Sequence, residues 1–260
     1  MKTRFEIRTV DSSNVDEGGF FCYADARKTP GYKQKRDWLE KRFSEGLRIK
    51  ILREVGGSDI GFIEYIPGEY AWRAAHAAGY MFIHCLRVMT KGRGRGYGNL
   101  LIKECIDDAR AQKMNGVATL TSDHAWLPGR KFFEGSGFRE VDSAPPAFQL
   151  MTLRFEPESA PEPSLPRNWD ERALAFGRGL TVIQTAQCPY FEKGVRDILA
   201  FGKEKGIRTK SVEFNTAQEV REQSPSAYGI SGLVLDGKLL AYQNPPLKSL
   251  EKMLQERKTK

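Results

Sequence analysis

Four glycines, Gly92, Gly94, Gly96 and Gly98, alternate with basic or aromatic residues in the stretch KGRGRGYGNLL (91–101). The apolar run YMFIHCLRV (80–88) precedes them, which reads as a central strand buried on both faces. Residues 98–112 follow, with Leu100, Leu101, Cys105, Ile106 and Ala109 on one face of an amphipathic helix. The glycines therefore sit between a strand end and a helix start. Helix N-termini carry unpaired N–H groups and a partial positive charge, and glycine lets an anion approach the backbone. The position predicts a phosphate-holding loop rather than a flexible basic tail or a nucleic-acid contact. Two loops with the same physics do not fit. A P-loop needs Gly-Lys-Ser/Thr, whereas Gly98 is followed by Asn99 and Leu100. A dinucleotide fingerprint needs G-x-G-x-x-G, whereas these glycines are spaced by two throughout.

The chain has 260 residues, enough for one large or two ordinary domains, and its 40% hydrophobic and 28% charged residues are a globular composition. The net charge of +8 favours an anionic partner. No dense basic block with interleaved aromatics occurs, which argues against nucleic acid. No apolar run has the roughly 18 residues of a spanning helix, and the N-terminal sequence has no apolar secretory core, so no membrane partner and a cytoplasmic location are expected. Cys22, Cys85, Cys105 and Cys188 are scattered and form no CxxC pair, and there are three histidines. That pattern predicts free thiols and no metal site. The oligomeric state has no signature in the sequence.

Residues 156–168 (EPESAPEPSLPRN) hold four prolines and three glutamates without hydrophobic periodicity, the composition of a semi-rigid linker. They separate a domain over 1–155 from one over 169–260. In the first, strands are predicted at 5–10, 47–54, 60–66, 80–88, 117–121, 138–141 and 148–155, with helices at 31–45, 98–112 and 129–134. In the second, the predicted order is strand 180–185, helix 191–205, strand 209–214, helix 217–223, a hairpin of 231–235 and 238–242 turning at Asp236-Gly237, and helix 247–254. The fold class is α/β (α+β): a mixed sheet with helices on both faces, followed by a β-α-β-α-β-β-α domain of thioredoxin-like order.

Arg93-Gly94-Arg95-Gly96-Tyr97-Gly98 fits R-x-x-G-x-G, and Phe132-Phe133-Glu134-Gly135-Ser136-Gly137-Phe138 follows downstream. With these motifs the segment from about residue 3 to 155 resembles the GNAT acetyltransferase superfamily. The resemblance implies acetyl-CoA as cofactor. The backbone N–H groups of Arg95, Gly96, Tyr97, Gly98 and Asn99 would hold its pyrophosphate. Arg93 and Arg95 would add charge, and the main chain of Leu86 and Val88 would pair with the pantetheine arm. It also implies a tyrosine as thiolate donor on the last helix of the domain, but Phe133 stands there. Trp126 stands where the family commonly has an asparagine.

Acetyl transfer to an amine needs a base for the ammonium and an acid for the leaving thiolate. His84 and Cys85 are adjacent in the apolar strand. Strand alternation lets only one of them face the cleft. His84 suits proton transfer at neutral pH; a hydrogen-bonded core histidine is the other reading. Glu64, in IGFIEYI, is either on a polar face or at the site. Glu69, Trp72 and Arg73 lie in PGEYAWRAA between strands and either line an acceptor pocket or form an ordinary loop. Asp123 and His124 follow the next strand.

In the second domain Cys188-Pro189-Tyr190-Phe191 follows a strand and opens a helix. It resembles a glutaredoxin motif whose second cysteine is Phe191, so a dithiol cycle is excluded within it. Cys188 is either a substrate-binding thiol or inactive. Pro225 is a candidate for the cis-proline of such domains. Together with IGFIEYIPGEYAWRA, Ile83-His84-Cys85 and YGISGLVLDGKLL, the pairing resembles the YoaP-like acetyltransferase group. The expected activity is N-acetyl transfer by direct attack of a small-molecule or protein amine, with a small-molecule amine or thiol-containing substrate as partner. A CoA-sensing or thiol-binding protein without acyl transfer, or a monothiol redox or metal-handling protein using Cys188, is the alternative.

Overall fold

The computed structural model describes residues 4–124, 126–156 and 160–258. Its contacts divide the chain into two units. The first comprises Met1–Arg27, Arg36–Ala71 and Ala75–Leu165, and the second Lys28–Lys35, Trp72–Ala74 and Pro166–Lys260. The division at residue 165 falls inside the proline-rich stretch, of which residues 157–159 lie outside the described residues.

In the first unit the strands are β1 (Phe5–Val10), β2 (Arg48–Glu54), β3 (Asp59–Pro67), β4 (Tyr80–Val88), β5 (Gly116–Thr121), β6 (Arg139–Ala144) and β7 (Phe148–Arg154). They form a mixed sheet in the order β1-β2-β3-β4-β5-β7-β6, antiparallel throughout except for the parallel β4–β5 pair. The crossover joining that parallel pair is helix α3 (Tyr97–Ala111); the shorter α1 (Val15–Gly18), α2 (Pro30–Phe43) and α4 (Arg130–Glu134) lie elsewhere in the sequence. Parallel neighbours need such a crossover, and the glycine stretch is its first part.

One core lies between α3 and the sheet. Leu101, Ile102, Cys105 and Ala109 of α3 meet Ile63, Tyr65, Met81, Ile83, Val117 and Met151. The buried stripe thus includes Ile102, while Leu100 and Ile106 sit at its margins, a shift from the face expected from the sequence. Ladder partners explain a second difference. Only residues 80–84 of β4 are buried; from Cys85 onward they are half-buried or exposed. The register with β5 ends at Ile83↔Thr119, although β4 runs on to Val88 and β5 to Thr121. On the sheet face away from α3, the α2 residue Trp38 lies 6.3 Å from the His84 ring.

In the second unit, α5 (Trp169–Leu174) precedes β8 (Leu180–Gln184), α6 (Phe191–Glu204), β9 (Thr209–Glu213), α7 (Ala217–Gln223), β10 (Ser231–Leu235), β11 (Lys238–Ala241) and α8 (Leu247–Lys258). Helix α5 was not anticipated from the sequence. The sheet order is β11-β10-β8-β9, with β8 and β9 parallel and the other pairs antiparallel. Val195, Ile198 and Phe201 of α6 pack on Leu180, Val182 and Leu233, with Leu250 and Leu254 of α8. Asp236 and Gly237 both have positive φ, the requirement of the tight turn between β10 and β11. Among the described residues the cis peptide is Pro145–Pro146, so Pro225 is not a cis-proline.

Leu101 is fully buried between α3 and the sheet. Replacing it by Ala is expected to lower the stability of the first unit by about 2–5 kcal/mol, because the emptied volume closes only partly. Urea unfolding with α3 amide exchange as the local probe measures this.

Candidate active site

The glycine stretch separates into two kinds of position. Gly92 and Gly98 are close-approach sites. A Cβ at Gly92 would stand 2.5 Å from Ile60, and one at Gly98 would stand 2.6 Å from the Phe132 ring. Gly94 and Gly96 have φ of +74° and +78°, and a Cβ on either would have no heavy atom within 4 Å. Both therefore bend a backbone that borders open space. Gly96 is the left-handed residue before α3, and its carbonyl accepts the Leu100 N–H at 3.1 Å. The N–H groups of Tyr97, Gly98 and Asn99 precede that first intrahelical bond and have no intrahelical acceptor. This is a backbone cradle at the positive end of a long helix, the chemistry of an anion site.

The side chains around it are secondary to the backbone. Arg93 and Arg95 are exposed, and the Arg95 guanidinium lies 5.0 Å from the centre of the Tyr97 ring. Tyr97 is itself buried, edge-on to Phe5 at 5.8 Å, so it offers its N–H to the cradle rather than its ring. The Asn99 carboxamide oxygen accepts from Ser136 at 3.4 Å. Phe132 was not singled out in the sequence, although it lies within the FFEGSGF motif; its ring covers Gly98.

Leu86 and Val88 lie on β4 between the cradle and the point where β4 and β5 part. At that point β4 has a bulge. Glu64 pairs with Cys85 and Tyr65 with Ile83, leaving His84 without a register partner. Two residues of β4 then oppose one of β3. The alternation argument accordingly fails here. Cys85 is directly opposite Glu64 and shares its face, and the His84 side chain also turns to Glu64, with Nδ1 3.3 Å from Oε1. His84 and Glu64 are 1% and 3% exposed, and Cys85 is half-buried. If Glu64 is ionised it can only accept, and His84 Nδ1 would then be the donor of this bond. Imidazole, carboxylate and thiol are thus gathered at one bulge.

The Thr119 hydroxyl donates to the Ile83 carbonyl at 3.3 Å, the last position before the strands separate. Phe133 is fully buried, packed edge-on to Phe138 at 5.2 Å. A phenyl ring there supplies no proton. All four cysteines are free thiols.

The residues read as acceptor-binding divide between the units. In the first unit the Glu69 carboxylate accepts the Gly79 N–H at 2.8 Å and ties the loop between β3 and β4. Trp72, Arg73 and Cys188 belong to the second unit. There Arg73 is buried, donates to Gln187 Oε1 at 2.8 Å and lies 5.5 Å from the centre of the Tyr228 ring. Gln187 immediately precedes Cys188, which is half-buried just before α6. Gln187 and Tyr228 are not legible as neighbours of Arg73 in the sequence, because a contact over 114 positions has no local signal. Asp123 lies against Gly129 at the start of α4, and the His124 N–H bonds to Ser122 Oγ.

Residues 16–138 match the model described as the acetyltransferase (GNAT) family. The match spans just under half of the chain and makes that stretch similar to the GNAT acetyltransferases. It is also similar to a Bacillus subtilis (strain 168) protein named Uncharacterized N-acetyltransferase YoaP. The identity is 27% over 248 residues, covering 94% of this chain and 96% of that protein. Among solved structures, a GNAT acetyltransferase from Staphylococcus aureus Mu50 is 14% identical with a TM-score of 0.45, over 59% of this chain and 100% of that one. A Brucella melitensis GNAT acetyltransferase in complex with acetyl-CoA is 16% identical with a TM-score of 0.39, over 61% of this chain and 92% of that one. The glycine cradle and the bulge both lie inside the GNAT-matched segment, as does Phe133. Among the described residues, no helix is long and apolar enough to cross a membrane.

In this segment Gly98→Ala is expected to destabilise by about 1–3 kcal/mol through its clash with Phe132. Adding Phe132→Leu, which shortens the ring tip that clashes, is expected to recover part of that loss. A double-mutant cycle in urea measures the coupling, and additive effects would show that the contact is not responsible.

Proposed function

We propose that the chain is an acetyl-CoA-dependent N-acetyltransferase whose acceptor amine attacks the thioester directly. The observation that carries this reading is the continuity of the cradle, Leu86–Val88 and the His84 bulge along one strand. The open space at Gly94 and Gly96, bordered by first-turn N–H groups of α3, fits a pyrophosphate. The N–H groups of Arg95, Gly96, Tyr97, Gly98 and Asn99 would hold it. Arg93 and Arg95 would add charge that salt screens. The main chain of Leu86 and Val88 would hold the pantetheine arm. Bound acetyl-CoA supplies an acetyl carbonyl for the amine and a thiolate that leaves.

The protein's own part is positioning and proton transfer. Held by Glu64, His84 presents Nε2 as the base that takes the ammonium proton. Glu64 fixes the ring and stabilises the imidazolium that forms. Burial of the pair keeps competing water from both groups.

We read residues 169–260, the larger part of the second unit, as a thioredoxin-like domain. Its β11-β10-β8-β9 order, with α6 following the first strand, supports this. Cys188 then stands at the position of that fold's reactive thiol, with Arg73 bonded to its neighbour Gln187. We read Cys188 as a thiol that binds substrate, with the buried Trp72 and Arg73 supporting that substrate site from within the unit. A CoA-sensing role without transfer is the second reading, favoured by the buried phenyl ring of Phe133.

Titration calorimetry with acetyl-CoA tests the cofactor. Binding is expected, and reversing charge at Arg93 and Arg95 together is expected to weaken it about tenfold at low salt. No binding, or binding indifferent to both charges, would overturn the reading. Thiol release from acetyl-CoA across a panel of polyamines, aminoglycosides and lysyl peptides tests the transfer. His84→Ala and Glu64→Gln are expected to lower kcat, His84→Ala by about 100-fold, with acetyl-CoA affinity retained. Absence of turnover with every amine would favour the sensor.

A further inference from the structure

The bulge leaves one question of proton balance. Expelling a thiolate from the thioester calls for an acid, and Phe133 supplies none. The described residues offer a thiol at the same bulge. From the geometry we infer that Cys85 is the general acid that protonates the departing CoA sulfur. This rests on the acetyl-CoA reading above and assigns a second catalytic residue within it.

Two observations carry the assignment. First, the bulge turns two consecutive side chains, His84 and Cys85, toward the single β3 residue Glu64. Consecutive Cα atoms are about 3.8 Å apart. A base and an acid with that offset can serve the adjoining atoms of one displacement, the incoming nitrogen and the outgoing sulfur. Regular alternation would have placed one of them on the far side of the sheet. Second, Cys85 is the β4 residue next to Leu86, so it lies just past the stretch of strand assigned to the pantetheine arm. It is also the first residue of β4 that is not fully buried. The thiol therefore lies where the arm's sulfur end would arrive. Its proton suits the task, because a cysteine thiol and the leaving thiol are the same functional group.

The protons balance as follows. His84 Nε2 takes one proton from the ammonium. The carbon–nitrogen bond forms and the carbon–sulfur bond breaks, with the Cys85 Sγ–H proton passing to the CoA sulfur. The nitrogen's surplus proton returns to the Cys85 thiolate, leaving the neutral amide. His84 releases its proton to solvent. The net products are the N-acetyl compound, CoA thiol and one proton.

The experiment uses the full chain with two probes. Hydroxylamine is the acceptor, at about pH 8, where it is already neutral and has no need of the base. The parent protein is expected to accelerate thiol release above the uncatalysed rate. Cys85→Ala is expected to lose about tenfold or more, while calorimetry shows acetyl-CoA affinity unchanged within about threefold. The second probe is independent of turnover: alkylation of Cys85 by iodoacetamide, read by peptide mass spectrometry, is expected to slow when acetyl-CoA is present. Acetyl-CoA binding without any acceleration, an unimpaired Cys85→Ala, or alkylation indifferent to acetyl-CoA would each overturn the acid. Acetyl found covalently on Cys85 in the absence of acceptor would overturn it in favour of a nucleophile. Absence of acetyl-CoA binding to the parent would instead remove the underlying cofactor reading.

Discussion

Past Ile83, β4 and β5 no longer share a ladder, and the rest of the first unit is organised around that separation. A parallel pair that stays in register along its whole length would bury both strands and leave no cleft. Here the bulge at His84 increases the local twist of β4, and Thr119 caps the last paired carbonyl, that of Ile83. The consequences appear in both directions along the strand. Before the bulge, β4 is core. After it, Cys85 through Val88 become accessible and lead to the glycine turn.

The cradle depends on α3 being held at both ends. At its start, Phe132 over Gly98 and Ser136 on Asn99 tie the first turn to the α4 region. Toward its end, Asp108 carries a negative charge where the helix dipole is already negative. Two groups from the sheet offset it: Lys50 Nζ at 3.3 Å and the Tyr65 hydroxyl, which donates at 2.5 Å. Burial first, and the charges and bond on the α3 side after it, push the Tyr65 phenol well above its ordinary range. The donor therefore keeps its hydrogen wherever the protein is folded. The same helix thus offers backbone N–H groups at one end and is anchored through a half-buried acid near the other.

How much of this was legible in sequence differs with the range of the cause. The glycine turn was legible because its signal is local: a strand, special backbone residues and a helix within about thirty positions. The face of α3 was off by one position because Leu100 and Ile106 are as apolar as Ile102, and only packing against Met81 and Val117 decides between them. The bulge had no signature. His84 and Cys85 read as an alternating pair, and nothing in YMFIHCLRV marks the residue that loses its register partner. Arg73 reads as a loop charge, yet it is buried and bonded to Gln187, a pairing visible only in three dimensions.

Phe133 and the bulge bear on each other. A phenol on α4 would reach the leaving sulfur from the helix side of the cleft; a thiol on β4 would, on the proposed reading, reach it from the strand that would hold the arm. Only the strand placement links the acid rigidly to the base, since one peptide unit joins Cys85 to His84. The same bulge then fixes Glu64, imidazole and thiol together. A shift of β4 by one register step would return Cys85 to the opposite face and separate all three. Freed of any demand for a hydroxyl, position 133 is filled by a ring that packs wholly against Phe132 and Phe138. Moving the acid to the strand is therefore compatible with a drier, fully apolar α4 face, and it ties the chemistry to the same backbone irregularity that opens the cleft.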